Sequence, residues 1–463
     1  MISYIELHNF KSFSNITFDL RGPHGIPKKL AFLYGENGSG KSNLCGSLFF
    51  INQSFETVKN QLSMPNLDLS QFDLLNDPKM KEEFISKFIH TRYYSLEDLI
   101  SKYWTIDGTD PMEIKIGFYH DKKDGFYYCK FNKNSVIEER LYYTVNERAG
   151  DIFLINSECT ILSPSAFSNT KYRRELLENI EKFWGKHTFM AILFGEFDSK
   201  NHKYVSDRIS PNLESVLKSL KNCSILYKST ESDNYKLAIP FRFLRQLDSG
   251  VINSTKDPEL LAVEELLNTC FTQLYSDIKK VYYKFQKTDN GYQYELFFNK
   301  VCAGKECSVP ISLESTGTQK ILDLIPLLFT CTLNTTVLVD EVDTGIHDLL
   351  MQDIVNILQD ALDETDEGQF IATTHNTLLL DSLKPENVYI LRSDILGHKQ
   401  ISCVSEYTLR THKNNSIRHR YLNGIYQGIP EIAYIDFTEL VADTMDKVKS
   451  SKKNALTGGN ENA

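Results

Sequence analysis

Apolar and polar residues alternate through the first thirteen positions, MISYIELHNFKSF, which predicts a half-buried strand rather than a leader peptide. An unbroken apolar run from Leu30 to Tyr34 then predicts a strand covered on both faces, followed by an apolar helical pattern. Alternation returns at 113–119, 125–131 and 136–145, with a turn at Lys122 to Gly125, as in an antiparallel sheet. Residues 51–110 read as mainly helical, with Phe84, Phe88 and Ile89 on one face. Helical spacing recurs from Arg173 to Phe183 and from Leu260 to Tyr283 without sustained heptads. A strand-like GYQYELFF (Gly291 to Phe298) precedes a second helical pattern through Ile321, Leu322, Ile325 and Leu328. The pattern divides the chain into an N-terminal lobe (1–156), a compact helical insertion or lid (157–290), a C-terminal lobe (291–446) and a polar, disordered tail (447–463).

Composition narrows the class. Hydrophobic residues at 41% and charged residues at 24% of 463 suit a globular protein with a substantial core. The formal charge of −10 and a pI near 5.7 argue against a global field for nucleic acid, though a local patch is compatible with both. Tyr172-Arg173-Arg174 and Arg410-x-x-Lys413 with Arg418-His419-Arg420 are the local basic clusters, read first as solvated faces or internal ion pairs. Nine scattered cysteines without a CxxC indicate reduced thiols, and no apolar stretch reaches the ~18 residues of a membrane span. A cytoplasmic protein that does not span a membrane is expected.

The chemistry is concentrated in short motifs. Directly after the Leu30–Tyr34 run comes Gly35-Glu36-Asn37-Gly38-Ser39-Gly40-Lys41-Ser42-Asn43, a P-loop between strand and helix. Glycines allow backbone N–H groups to wrap phosphates; Lys41 would reach the β- and γ-phosphates of a nucleotide, and Ser42 would ligate Mg²⁺. TVLVDE (336–341) ends in two acids: Asp340 for Mg²⁺ and Glu341 as general base for the attacking water. Asp343 opens the following loop, placed to cross a subunit boundary. His375, in QFIATTHN, could contact the γ-phosphate or be a plain surface histidine. Upstream, Ser315, Gly317 and Thr318 open a helix, a setting for an N-cap or for an anion.

Together, in this order, the P-loop, Ser-x-Gly helix, strand-Asp-Glu, Asp loop and strand-His resemble ABC-type ATPase heads of the RecF, SMC and OLD group. Ile5-x-x-x-Asn9-Phe10-Lys11-Ser12-Phe13, the Lys41-Ser42-Asn43-Leu44 continuation and the 273 positions from Ser42 to Ser315 support that branch. GENGSGKSN, ESTGTQKIL, DEVDTGIHDLL with His347, and TTHNTLLLD resemble the AAA-type ATPases of bacterial abortive-infection and anti-phage operons (RloA/AbiL-like), as does the segment Arg420-Tyr421-Leu422-x-Gly424-x-Tyr426-x-Gly428-x-Pro430. The likeness covers about residues 1–60 and 295–435, and only loosely the middle.

The resemblance implies an α/β fold: an ABC-type P-loop NTPase head with a flanking antiparallel sheet and a helical insertion in place of coiled-coil arms. It implies an ATPase using ATP and Mg²⁺, with Lys41, Glu341 and His375 catalytic. Ser315, Gly317 and Thr318 of one subunit would close on the ATP of another, giving a homodimer or higher even oligomer. The function implied is sensing or regulation of a separate effector, a nuclease or toxin; the alternative is a RecF-like repair ATPase clamping duplex DNA. An OLD-like nuclease fusion is disfavoured, since the 88 positions after His375 hold no Asp-x-Asp cluster. The glutamine that such heads use to couple Mg²⁺ to the helical region has no clear counterpart; Asn156-Ser157-Glu158, after a strand-like 151–155, is the candidate substitute.

Overall fold

In the computed structural model the described residues are 1–63, 93–228, 235–288, 291–407, 416–429 and 435–457. Phe84, Phe88, Ile89, Arg410, Lys413 and Pro430 lie outside them. The chain divides into two units, Met1–Gly428 and Ile429–Ala463.

The N-terminal alternation produces β1 (Ile2–Phe10) and β2 (Phe13–Asp19), and the apolar run produces β3 (Leu30–Gly35). The three alternating segments become β4 (Met112–His120), β5 (Lys123–Phe131) and β6 (Val136–Val145), followed by β7 (Arg148–Asn156) and β8 (Thr160–Leu162). These strands, without β3, form one antiparallel sheet in the order β2-β1-β4-β5-β6-β7-β8.

A second seven-stranded sheet has the order β10-β9-β15-β16-β3-β17-β18. It contains β9 (Ser224–Lys228), β10 (Tyr235–Ala238), β15 (Thr336–Val339), β16 (Gln369–Thr373), β17 (Val388–Ser393) and β18 (Lys399–Cys403). The five strands from β9 to β17 are parallel, and the two edge strands run antiparallel to them. Gln369, fully buried, ties the two sheets: its Oε1 accepts the Ile2 N–H (2.7 Å), and its Nε2 donates to the carbonyls of Ile2 and Lys28.

After the P-loop comes α1 (Lys41–Phe55), buried around most of its circumference, so it needs cover on every side. Phe50 meets Phe10, Tyr103 and Phe131 edge-on at ring separations of 5.2–6.3 Å. The short α2 (Thr57–Ser63) and α3 (Leu96–Tyr103) follow, α3 opened by a Ser95–Asp98 capping box.

Residues 157–290 depart from the expected helical lid. Helices α4 (Thr170–Phe183), α5 (Phe189–Ser199), α6 (His202–Ser206) and α7 (Pro211–Lys221) do occur, but their apolar faces join the core of the antiparallel sheet. Glu139 of β6 anchors α5: its buried carboxylate accepts the Phe189 and Met190 N–H groups, the Tyr127 hydroxyl and the Trp184 indole N–H. Burial raises the Glu139 pKa, and those four donors oppose the rise. The chain then supplies β9, a strand of the parallel sheet itself. Ser224–Tyr227 is buried at every position, so it lacks the alternation that would separate a strand from a helix by pattern.

Beyond it, β11 (Ser249–Ile252), β12 (Ile278–Thr288), β13 (Gly291–Cys302) and β14 (Lys305–Pro310) form a third, antiparallel sheet against α8 (Pro258–Leu274). The C-terminal half adds α9 (Thr316–Thr332), α10 (Asp348–Asp363) and α11 (Ile417–Leu422).

In the second unit, α12 (Phe437–Thr457) is helical through most of the tail expected to be disordered. Phe437, Leu440, Val441 and Met445 recur at helical spacing ahead of the tail, so the helix enters it from an amphipathic segment.

Candidate functional site

The site grows from the carboxyl ends of β3, β15 and β16, where parallel strands bring their following loops to one edge. β16 lies between the P-loop strand and the strand ending in acids. At the end of β3, a Cβ on Gly35 would stand 2.4 Å from the Leu391 carbonyl, so only glycine fits. Gly40, with φ +112°, faces the Phe13 ring, which a Cβ would approach to 2.8 Å. Asn43 donates to the Ser12 hydroxyl at 2.7 Å. The Asn-Phe-Lys-Ser-Phe segment, read from sequence as a family mark, is therefore the wall against which the P-loop packs.

Lys41 folds over the loop and donates to the carbonyls of Gly35 (2.8 Å) and Glu36 (2.9 Å). Burial lowers its pKa to about 8, while Asp340, Glu341 and Asp343 pull in the other direction. Asp340 is fully buried. Its Oδ1 accepts the Thr373 hydroxyl at 2.7 Å, and its Oδ2 has no hydrogen bond. Burial raises the Asp340 pKa, opposed by Thr373 and by the Ser42 hydroxyl beside it. Glu341 has a left-handed backbone (φ +51°); its N–H donates to Thr373 Oγ1 at 2.8 Å, and its carboxylate accepts Lys228 Nζ and Thr344 Oγ1, both at 3.3 Å. The His375 N–H points at the Asp343 carboxylate (3.3 and 3.4 Å), and burial with Lys41 nearby lowers the imidazole pKa.

The structure thus brings Lys41, Ser42, Asp340, Glu341, Asp343 and His375 together. A buried carboxylate oxygen without a hydrogen bond, beside a serine hydroxyl, is a hard-oxygen pair that suits Mg²⁺. Ser315 N-caps α9, accepting the Thr318 N–H at 3.1 Å. Gly317 lies against the Gly345 carbonyl of the loop behind Asp343, where a Cβ would come to 2.7 Å. The three α9 residues therefore stand beside the acid loop and not in the P-loop cluster. His347 N-caps α10. Asn156 is the exception among the candidates. It closes the turn into β8 by accepting the Glu158 and Cys159 N–H groups. It lies four strands from β1 in the sheet order, while the P-loop follows β3 of the other sheet.

Three contributors, Lys228, Thr373 and Lys399, escaped the sequence reading. Lys228 ends β9, inside the supposed lid. Thr373 was visible only as part of the strand before His375. Lys399 of β18 donates to the Gly38 carbonyl at 3.1 Å. Tyr421 and Gly428, in the C-terminal motif, seat on the P-loop strand: Tyr421 meets the Tyr34 ring at 5.5 Å and donates to the Gly428 carbonyl.

A family model described as "AAA domain, putative AbiEii toxin, Type IV TA system" matches residues 30–381, from the first residue of β3 past His375. The chain belongs to this AAA family. Its AAA domain thus spans the P-loop, both acids and the histidine, and the protein is an ATPase. A curated relative from Helicobacter pylori, named ATP/GTP phosphatase, is 22% identical over 439 residues, covering 91% of this chain and 98% of its own. Among solved structures, the SMC head bound to the C-terminal winged-helix domain of ScpA covers 87% of this AAA protein and 96% of its own chain, at 15% identity and a TM-score of 0.40. The SMC head domain from Thermotoga maritima covers 87% and 98%, at 13% identity and a TM-score of 0.35. Among the described residues no helix is long and apolar enough to cross a membrane.

Proposed function

We propose that the protein is an ATP-driven switch: two heads close head-to-tail around ATP, hydrolysis parts them, and the cycle controls a separately encoded nuclease or toxin in anti-phage defence. The observation that carries this reading is the convergence of Lys41, Ser42, Asp340, Glu341, Asp343 and His375 at the ends of three adjacent parallel strands.

Lys41 leaves the Gly35 and Glu36 carbonyls to reach the β- and γ-phosphates. The P-loop N–H groups and the α1 N-terminus hold the phosphate oxygens. Ser42 and Asp340 Oδ2 would hold Mg²⁺, which supplies charge neutralisation at the β- and γ-oxygens. Glu341 takes the proton of the attacking water, and His375 faces the γ-phosphate. Ser315, Gly317 and Thr318 of a second copy complete the site, the N-terminus of α9 favouring the anion. Because that contact is made to the γ-phosphate, its loss on hydrolysis removes the difference in affinity that holds the closed state.

The family description names a type IV toxin–antitoxin system, which supports the defence assignment. The test is coexpression of Glu341→Gln with the genomic neighbours, followed by purification in ATP and Mg²⁺. A neighbouring gene product retained in an ATP-dependent complex is expected. A partner-free protein that shifts duplex DNA in a salt-sensitive manner would contradict the effector reading.

A further inference from the structure

The parallel ladder between β15 and β16 closes at the pair Val339–Ala372. Directly beyond it the chain must release two acids in different directions, and Thr373 occupies the facing position. Glu341 has a left-handed backbone, φ +51°, which a residue with a Cβ adopts only when its surroundings fix it. Both oxygens of Thr373 do the fixing. Its side-chain Oγ1 accepts the Glu341 N–H at 2.8 Å, and its carbonyl accepts the Val342 N–H at 3.0 Å. A backbone N–H can only donate, so the one hydroxyl proton of Thr373 is left for Asp340 Oδ1, at 2.7 Å. With Oδ1 engaged by Thr373, Oδ2 remains without a hydrogen bond, and the Ser42 hydroxyl lies close to the carboxylate.

We propose that Thr373 is a positioning residue for ATP hydrolysis, its single hydroxyl setting the orientation of Asp340 and the backbone of Glu341 together. This rests on Asp340 as metal ligand and Glu341 as base. The side chains of Thr344 and Lys228 reach the Glu341 carboxylate, and the Thr344 N–H donates to the Glu341 carbonyl at 3.2 Å, whereas the buried Thr373 side chain takes the Glu341 N–H. Thr373 also lies two residues before His375, whose N–H points at Asp343. One strand end thereby registers both acids and the histidine against each other.

The test compares Thr373→Val, which keeps the shape and loses the hydroxyl, with Thr373→Ser, which keeps it. Asp340→Asn and Glu341→Gln are assayed beside them in the full chain. Turnover is measured against both ATP and Mg²⁺, and folding by thermal unfolding. Thr373→Val should lower kcat about 10–100-fold, as loss of a group supporting a metal ligand does, and raise the Mg²⁺ concentration for half-maximal turnover. Its KM for ATP should change little, and Thr373→Ser should stay within a few-fold of wild type. If the valine variant fails to fold, Thr373→Ala carries the same comparison. Wild-type kcat and Mg²⁺ dependence without the hydroxyl, or a serine variant as slow as the valine one, would overturn the proposal while Asp340→Asn and Glu341→Gln are inactive. Wild-type turnover in those two acid variants would overturn the underlying reading instead.

Discussion

The two seven-stranded sheets reach the same strand number by opposite routes. The antiparallel sheet is almost sequential, β4 to β8 following one another through short turns, and its side chains alternate between core and solvent. The parallel sheet draws its strands from four separated stretches of chain, and β3, β15 and β16 are buried at every position. None of the proposed chemical groups sits on the first sheet, and nearly all sit at strand ends of the second. A parallel sheet points all its carboxyl ends one way, so distant residues converge there, whereas an antiparallel sheet alternates its ends. The antiparallel sheet contributes support, through Phe13 and Ser12 under the P-loop and through Ile2 on Gln369.

That division of labour can be broken by substitution. Lys41→Ala is expected to have the largest effect, lowering ATP turnover roughly 10²–10³-fold with loss of nucleotide binding, because the charge aimed at the phosphates is gone. Unchanged ATP affinity by calorimetry would remove Lys41 from the phosphate site. Gln369→Leu cuts the link between the sheets and leaves the buried Ile2 N–H unpaired, so stability in urea should fall by about 1–3 kcal/mol. Its kcat at a temperature where it stays folded should be near wild type; a loss of activity without a loss of stability would show that the sheets share the chemistry. Gly40→Ala tests the contact itself. A side chain against Phe13 at a left-handed φ should cost about 1–3 kcal/mol and weaken ATP binding, and wild-type affinity would mean that the loop can move off the wall. Lys228→Ala should matter least to stability, below about 1 kcal/mol, since its 3.3 Å ion pair with Glu341 is partly exposed.

How much of this could be read from sequence follows from the same contrast. β4, β5 and β6 were visible because alternation is a two-residue signal contained within each strand. β3, β15 and β16 have no alternation, but each runs into residues that carry chemistry, so the P-loop, Asp340–Glu341 and His375 marked them. β9 has neither signal. Ser224–Lys228 is a short, mostly apolar run close behind α7, and its membership of the parallel sheet is fixed by Leu226 and Val339 meeting across 113 positions. Lys228 was lost with it. Thr373 was missed for another reason: threonine is ordinary in a strand, and its use depends on the reversed backbone at Glu341, which no pattern encodes. The Asn156 candidate rested on its position after a strand, which says nothing about which of seven strands lies near the loop. Ser315 and Thr318 were legible as a helix start, and their geometry as a cap is what such a start predicts.

The most direct test of the switch is the pair of measurements on Glu341→Gln: ATP turnover, and molar mass by light scattering with ATP and Mg²⁺. Binding of ATP with turnover reduced about 10²-fold or more, and a mass doubled only when ATP is present, is the predicted result. A variant that hydrolyses ATP at the wild-type rate and keeps the same mass with and without nucleotide would contradict both the base and the ATP-closed dimer.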